Sequence, residues 1–203
     1  KAGLNVAMCG IPWWTTDIGG FINGDPQDET FRELIIRWFQ FGVFCPIFRL
    51  HGFRLPYPVR DIFNPDGYCG SGGENEVWSF GERAYDIISR LLYLRERLIP
   101  YIMEQMACAS ETGRPVMRPL FYDFYKDETT YEIGDEYMFG PELLVAPVIE
   151  KGAVQRKVYL PKGAEWTEAY TKVRYKGGTW ANVDAPLERI PVFYKNDIDL
   201  NLF

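Results

Sequence analysis

The chain has 203 residues, enough for one domain or one and a half at roughly 100–200 residues per domain. Its 28 acidic and 22 basic side chains leave a net charge of −6, which argues against a nucleic-acid binder that tracks phosphates with a basic face. With 47% apolar and 25% charged residues the makeup is globular rather than disordered, and no apolar run reaches the ~18–20 residues needed to span a bilayer.

Residues 1–11 lack the long apolar core and small-residue cleavage site of a signal peptide. Residues 4–11 form a short apolar run with little alternation, which predicts a strand buried on both faces of a parallel sheet. Pro12 and the glycine-rich stretch to Gly24 end it. A helix follows, with Asp28 and Glu29 at its first turn, where carboxylates favour the helix dipole. Its apolar stripe is Phe31, Leu34, Ile35 and Trp38, and Gly42 is expected to stop it. Residues 43–48 read as a second buried strand.

The linker over 49–78 is long and rich in Gly and Pro, and loops of that size in compact domains are usually functional or mobile. Ser79-Phe80-Gly81-Glu82 has the spacing of a capping box. It opens a helix with a buried stripe of Ala84, Ile87, Ile88, Leu91 and Leu92, kinked at Pro100 and terminated by Gly113. Strand, helix, strand, helix reads as part of an α/β fold. Two such units are too few to close a barrel, so the chain either borrows strands or is a piece of something larger.

After Gly113 the character changes to short strands and turns. Strands are expected at 116–122, 136–139, 143–148, 154–160, 166–169, 173–175 and 190–194. They are separated by Gly140-Pro141, Lys151-Gly152, Pro161-Lys162-Gly163 and Gly177-Gly178. This predicts a small antiparallel sandwich. The four cysteines, Cys9, Cys45, Cys69 and Cys108, are widely spaced, with only His51 to help a metal, so no metal site is expected. They read as reduced thiols, Cys9 and Cys45 in the core, which favours a cytoplasmic location.

Function in parallel α/β folds sits on loops leaving the C-terminal ends of strands. Two such loops are chemically dense. Trp13-Trp14-Thr15-Thr16-Asp17-Ile18-Gly19-Gly20-Phe21 sets one carboxylate between aromatic rings, and Arg49-Leu50-His51-Gly52 follows the second run. Residue types alone leave two readings open for each. Asp17 suits a turn cap as well as a ligand-facing acid, His51 a satisfied buried imidazole, and Arg49 with Asp17 a structural ion pair. Serine-nucleophile elbows, phosphate loops and dinucleotide fingerprints are missing at the required spacing.

At these loops the sequence resembles glycoside hydrolase family 31, the α-glucosidase and α-xylosidase family. The likeness rests on Trp14-Thr15-Thr16-Asp17-Ile18-Gly19-Gly20-Phe21, Arg37-Trp38-Phe39-Gln40-Phe41-Gly42 and Pro46-Ile47-Phe48-Arg49-Leu50-His51-Gly52. Gly113-Arg114-Pro115-Val116-Met117-Arg118-Pro119-Leu120, Tyr137-Met138-Phe139-Gly140 and Leu144-Val145-Ala146-Pro147-Val148 extend it. The resemblance implies the last two βα units of a (β/α)8 barrel over residues 1–114, followed by a β-sandwich over 115–203, hence a fold of class α/β plus all-β.

By the same resemblance His51 hydrogen-bonds the sugar in the −1 subsite, and Asp17 with Arg49 forms a charged support beneath it. Phe21 lines the neighbouring subsite and Trp14 is a further wall. Retaining glycosidases need two carboxyl groups about 5–5.5 Å apart. In this family these are aspartates on earlier barrel loops, so no catalytic residue is assigned here. The implied reaction is hydrolysis of a terminal α-linked xylose or glucose with retention, needing no cofactor or metal. The implied partners are an α-linked oligosaccharide or glycoside and the N-terminal part of the same enzyme, with neither nucleic acid nor membrane. Because those aspartates would precede this chain, it is expected to be inactive alone, and two isolated barrel units would also leave strand edges unpaired, an aggregation hazard. Arg54, Arg60 and Asp61 are placed on the leaving-group side. The alternative is a non-catalytic carbohydrate-binding module using Trp166, Tyr170, Tyr175 and Trp180 of the sandwich.

Overall fold

In the computed structural model of the chain, residues 1–55 and 72–203 are described. Two long helices pack on one face of an antiparallel sheet, and a two-stranded ribbon covers the other.

The first apolar run is a helix, α1 (Ala2–Met8), and not the expected strand. No parallel strand pair occurs among the described residues. A strand at 4–11 would leave its N–H and C=O groups without partners, whereas a helix closes them internally. Ala, Leu and Met tolerate that choice well.

Helix α2 (Glu29–Val43) starts where the sequence placed it, with the Asp28 carboxylate accepting from the Thr30 N–H at 2.9 Å. Its buried face is Phe31, Ile35, Ile36, Phe39 and Val43, so the stripe is rotated from the one expected. Leu34 is exposed and Trp38 half-buried. Gly42 lies within the helix rather than stopping it. A Cβ there would come 2.7 Å from Ile18 Cδ1, so the glycine admits a close neighbour.

Residues 43–48 are not a strand either. The Phe44 and Cys45 N–H groups turn back to Phe41 and Gly42, and Arg95 donates to the carbonyls of Val43 and Pro46 at 2.7 and 2.8 Å. The backbone groups of residues 43–46 are thus taken up by the end of α2 and by Arg95, which leaves no regular ladder here.

A short 3₁₀ turn (Val77–Phe80) leads into α3 (Glu82–Thr112), which runs unbroken through Pro100 to Gly113 in the left-handed conformation. The capping box is not formed. Gly81, at φ +85°, occupies the cap position, and the Ser79 hydroxyl faces Glu76 and Glu74 instead of the start of α3. Ala84, Ile87, Ile88 and Leu91 are buried as expected, Leu92 only in part.

The second half carries β1 (Met117–Pro119), α4 (Leu120–Asp123), β2 (Tyr137–Phe139), β3 (Leu143–Val145), β4 (Gln155–Leu160), β5 (Glu165–Glu168), β6 (Arg174–Lys176), β7 (Thr179–Asp184) and β8 (Val192–Lys195). Six strands form one sheet in the order β1-β2-β3-β8-β5-β6, and β4 pairs with β7 as a separate antiparallel ribbon. Side chains alternate between two cores. Tyr137, Phe139, Leu143, Val145, Val192 and Tyr194 face the helices, while Met138, Leu144 and Phe193 face the ribbon. With both faces covered these strands read as continuous apolar runs. Strand β7 was not foreseen, although its alternating burial at Ala181 and Val183 is the ordinary half-buried pattern. Gly177-Gly178 does connect two strands, but it sends the chain from the sheet to the ribbon rather than closing a hairpin.

Candidate functional site

The two chemically dense loops lie side by side and run in the same direction. The Ile47 N–H donates to Trp14 O (3.1 Å), Ile18 N–H to Arg49 O (3.2 Å) and Phe53 N–H to Phe21 O (3.2 Å). Three backbone hydrogen bonds therefore hold the two loops parallel, without regular strands.

Two side-chain pairs stand on this double loop. The Arg49 guanidinium is ion-paired with the Asp17 carboxylate. Arg49 remains 50% exposed and Asp17 24%, so water screens the pair and it contributes at most about 1 kcal/mol to stability. At the far end the Phe21 ring stacks on the His51 imidazole, centroids 5.4 Å apart and planes 28° from parallel. Both rings are exposed. His51 is thus not a buried core imidazole. Phe53 meets the same Phe21 ring edge-on at 6.0 Å.

Glycines let the loops touch. Gly52, at φ +126°, brings its backbone so close that a Cβ would sit 2.6 Å from the carbonyl oxygens of both Gly20 and Phe21. Trp14 joins this double loop through its backbone, but its ring turns towards α1. A Cβ on Gly3 would lie 2.5 Å from the indole nitrogen. Trp38 steadies the first loop by donating its indole N–H to Thr16 Oγ1 at 2.8 Å.

Arg54 does not face outward as expected of a leaving-group contact. It is fully buried beneath the loops, its guanidinium over the Phe31 ring at 5.2 Å. Sequence reasoning missed this role, and it also missed Asn75, which accepts from Arg54 Nε at 2.8 Å and donates to Gly52 O at 3.1 Å. Arg60, Asp61 and Cys69 lie outside the described residues.

A cavity of about 690 Å³ opens between α1, α2 and residues 147–151, walled by Leu4, Leu34, Trp38, Phe41 and Ile149. None of the five candidate side chains lines it. Among the described residues no cluster of His, Cys, Asp or Glu could hold a metal ion, and no helix is long and apolar enough to cross a membrane. Cys45 is buried, and burial pushes its thiol far up, so it is inert. Cys9, at the end of α1, is exposed rather than in the core.

Residues 1–105 match the family model of the glycosyl hydrolases family 31 TIM-barrel domain, and residues 113–198 that of the family 31 C-terminal domain. The chain belongs to glycosyl hydrolase family 31. This family 31 chain is 35% identical to an α-xylosidase of Saccharolobus solfataricus over 99% of its own length, and covers 25% of that protein. An α-glucosidase of Bacillus thermoamyloliquefaciens is also 35% identical, over 95% of this chain and 22% of the relative. Among solved structures, an α-xylosidase from a soil metagenome, complexed with xylose, superposes with a TM-score of 0.92. It is 53% identical, over 98% of this chain and 30% of that one. The family 31 chain thus spans about a quarter of the length of the relatives it matches.

The rings named for a separate carbohydrate platform are mostly spoken for. Trp166 is fully buried in the ribbon-side core, and Tyr175 packs against that core. Tyr170 lies under Arg189 and beside Phe203. Trp180 alone of the four is exposed, and the Lys157 ammonium sits 4.6 Å from its ring centre.

Proposed function

We propose that this chain forms one wall of the sugar cleft of a retaining α-glycosidase that hydrolyses a terminal α-linked xylose or glucose. The observation that carries the reading is the double loop, which sets the Asp17–Arg49 pair and the Phe21–His51 stack on one exposed edge. An imidazole and an ion-paired carboxylate offer directional hydrogen bonds to sugar hydroxyls. An exposed phenyl ring offers an apolar surface to the sugar's C–H face. His51 contacts the sugar at the −1 position, Asp17 and Arg49 support it from below, Phe21 lines the next position and Trp14 backs the wall. The division between the barrel part and the sandwich falls at 114/115.

Asp17 is a poor candidate for the reacting acid. Its carboxylate is already engaged by the Arg49 guanidinium. Retention also needs a second carboxyl about 5–5.5 Å away. The reacting pair belongs to another part of a longer enzyme, and this chain contributes binding and orientation.

The experiment is a calorimetric titration of the 203-residue chain with xylose and glucose, together with an assay on nitrophenyl α-xyloside and α-glucoside. The sugar held by the soil-metagenome relative makes xylose the first ligand to test. The expected result is weak sugar binding, abolished by His51→Ala, and no hydrolysis above blank. Cleavage by the purified chain would overturn the assignment of the chemistry elsewhere. Binding indifferent to His51→Ala would overturn the wall.

A further inference from the structure

We infer that Arg54, seconded by Asn75, is the positioning residue that sets the spacing and tilt of the Phe21–His51 pair. The inference rests on the reading of the double loop as a sugar wall and adds the device that holds it. Arg54 is fully buried, and its guanidinium donates to three carbonyl oxygens of the first loop: Ile18 (3.0 Å), Gly20 (2.8 Å) and Asn23 (3.0 Å). Those carbonyls bracket Phe21 on both sides in sequence. The Arg54 side chain belongs to the second loop, three residues after His51. One planar cation therefore fixes the first loop against the second, and it does so next to the two rings that stack across them.

Two further observations point the same way. Gly19 has φ +83°, and a Cβ there would lie 2.7 Å from Arg54 Nη2, so the glycine clears the slot that the guanidinium fills. Asn75 completes the clamp from the other side by accepting from Arg54 Nε while donating to Gly52 O, the residue next to His51. A fork of fixed donors can satisfy several carbonyls at once in this geometry. A lysine ammonium is a point charge on a flexible stem and cannot reproduce it. Loop carbonyls released by its loss would move towards water, carrying Phe21 with them.

The chain contains a single histidine, so its imidazole ring protons give one set of NMR signals. A stacked phenyl ring displaces those signals, and Phe21→Leu measures the full displacement. The expected result is that Arg54→Lys moves the His51 signal more than half of the way to its Phe21→Leu position while far-ultraviolet circular dichroism keeps the helical signal. Asn75→Ala moves it in the same direction by a smaller amount. A His51 signal that stays at the wild-type position in folded Arg54→Lys overturns the inference. If Arg54→Lys does not fold, Asn75→Ala decides by the same criterion. A coincident signal in Phe21→Leu and wild type also overturns it, because the pair would then not be stacked. Adding xylose to the wild-type chain tests the wall separately. A signal that ignores xylose yet moves in Arg54→Lys removes the sugar reading and leaves the positioning role standing.

Discussion

Arg37 on α2 donates through Nη2 to the carbonyl oxygen of Ala185 at 2.8 Å, joining the long helix to the loop after β7. The same guanidinium reaches Ala153 O (2.9 Å), Arg189 O (3.1 Å) and Pro186 O (3.2 Å), and Gln40 on the next turn donates to Leu187 O. These carbonyls belong to loops outside the sheet ladders, and apart from Pro186 O, which also accepts the Arg189 N–H, they draw a donor from the cation or from Gln40. Burial pulls the Arg37 pKa down and Glu33 opposes this, but an arginine stays charged. Arg37→Met should therefore leave several half-buried carbonyls unpaired and cost about 3–5 kcal/mol. Urea unfolding followed by circular dichroism checks it, and a midpoint equal to wild type would refute the clamp.

Glu136, 1% exposed, accepts the Tyr159 N–H with both carboxylate oxygens, at 3.0 and 3.1 Å, on the edge of β4. Burial pushes its pKa up to about 8 from 4.5, against the pull of that N–H and of Arg156. A folded-state value above the unfolded one means the native chain holds the proton more tightly. The stabilisation is then complete below pH 4.5 and fades as the pH rises through about 8. Glu136→Gln keeps an acceptor and removes the titration. Its stability relative to wild type should grow by a few kcal/mol, in order of magnitude, between these limits and be flat outside them. Urea midpoints at pH 4, 6, 8 and 9.5 measure the difference, and a pH-independent gap would contradict it.

Much of the scaffold was legible because its signals are local. The start of α2 at Asp28 and Glu29, the stop of α3 at Gly113 and the strand starts after turns all follow from the few residues around them. The two expected barrel strands were not, since a short apolar run becomes a strand only if neighbours pair with it. Ala2–Met8 has none among the described residues and turns helical. The site was half legible. The Asp17–Arg49 ion pair was one of the readings those residue types left open, whereas the Phe21–His51 stack was not foreseen. Nothing local tells that Arg54 turns inward while Arg49, five residues earlier, stays half in water, because that choice depends on the slot at Gly19.

Gly52→Ala should act on the site as directly as any polar substitution. The new Cβ meets two carbonyl oxygens at 2.6 Å, in a backbone conformation that side chains rarely adopt. The strain alone is about 1–3 kcal/mol, and relief requires the loops to part. The expected outcome is a lower melting temperature together with loss of the Phe21 displacement of the His51 NMR signal. An alanine variant with an unaltered imidazole signal would show that the loops do not touch there.

Trp166 and Trp180 should respond oppositely to truncation, and the contrast tests the sandwich as a sugar platform. Trp166 is fully buried among Phe124 and the ribbon residues, its indole N–H donating to Pro161 O at 3.0 Å. Trp166→Ala removes that ring from a closed core and should cost about 3–5 kcal/mol, with any loss of ligand binding secondary to unfolding. Trp180 is 50% exposed on β7, against Tyr159 and under the Lys157 ammonium. Trp180→Ala should change stability by about 1 kcal/mol or less, the worth of an exposed cation–π contact. Neither change should alter xylose affinity in chains that remain folded. Calorimetric titration of Trp180→Ala decides the point: a folded variant that no longer binds xylose would move the sugar site from the double loop to the ribbon.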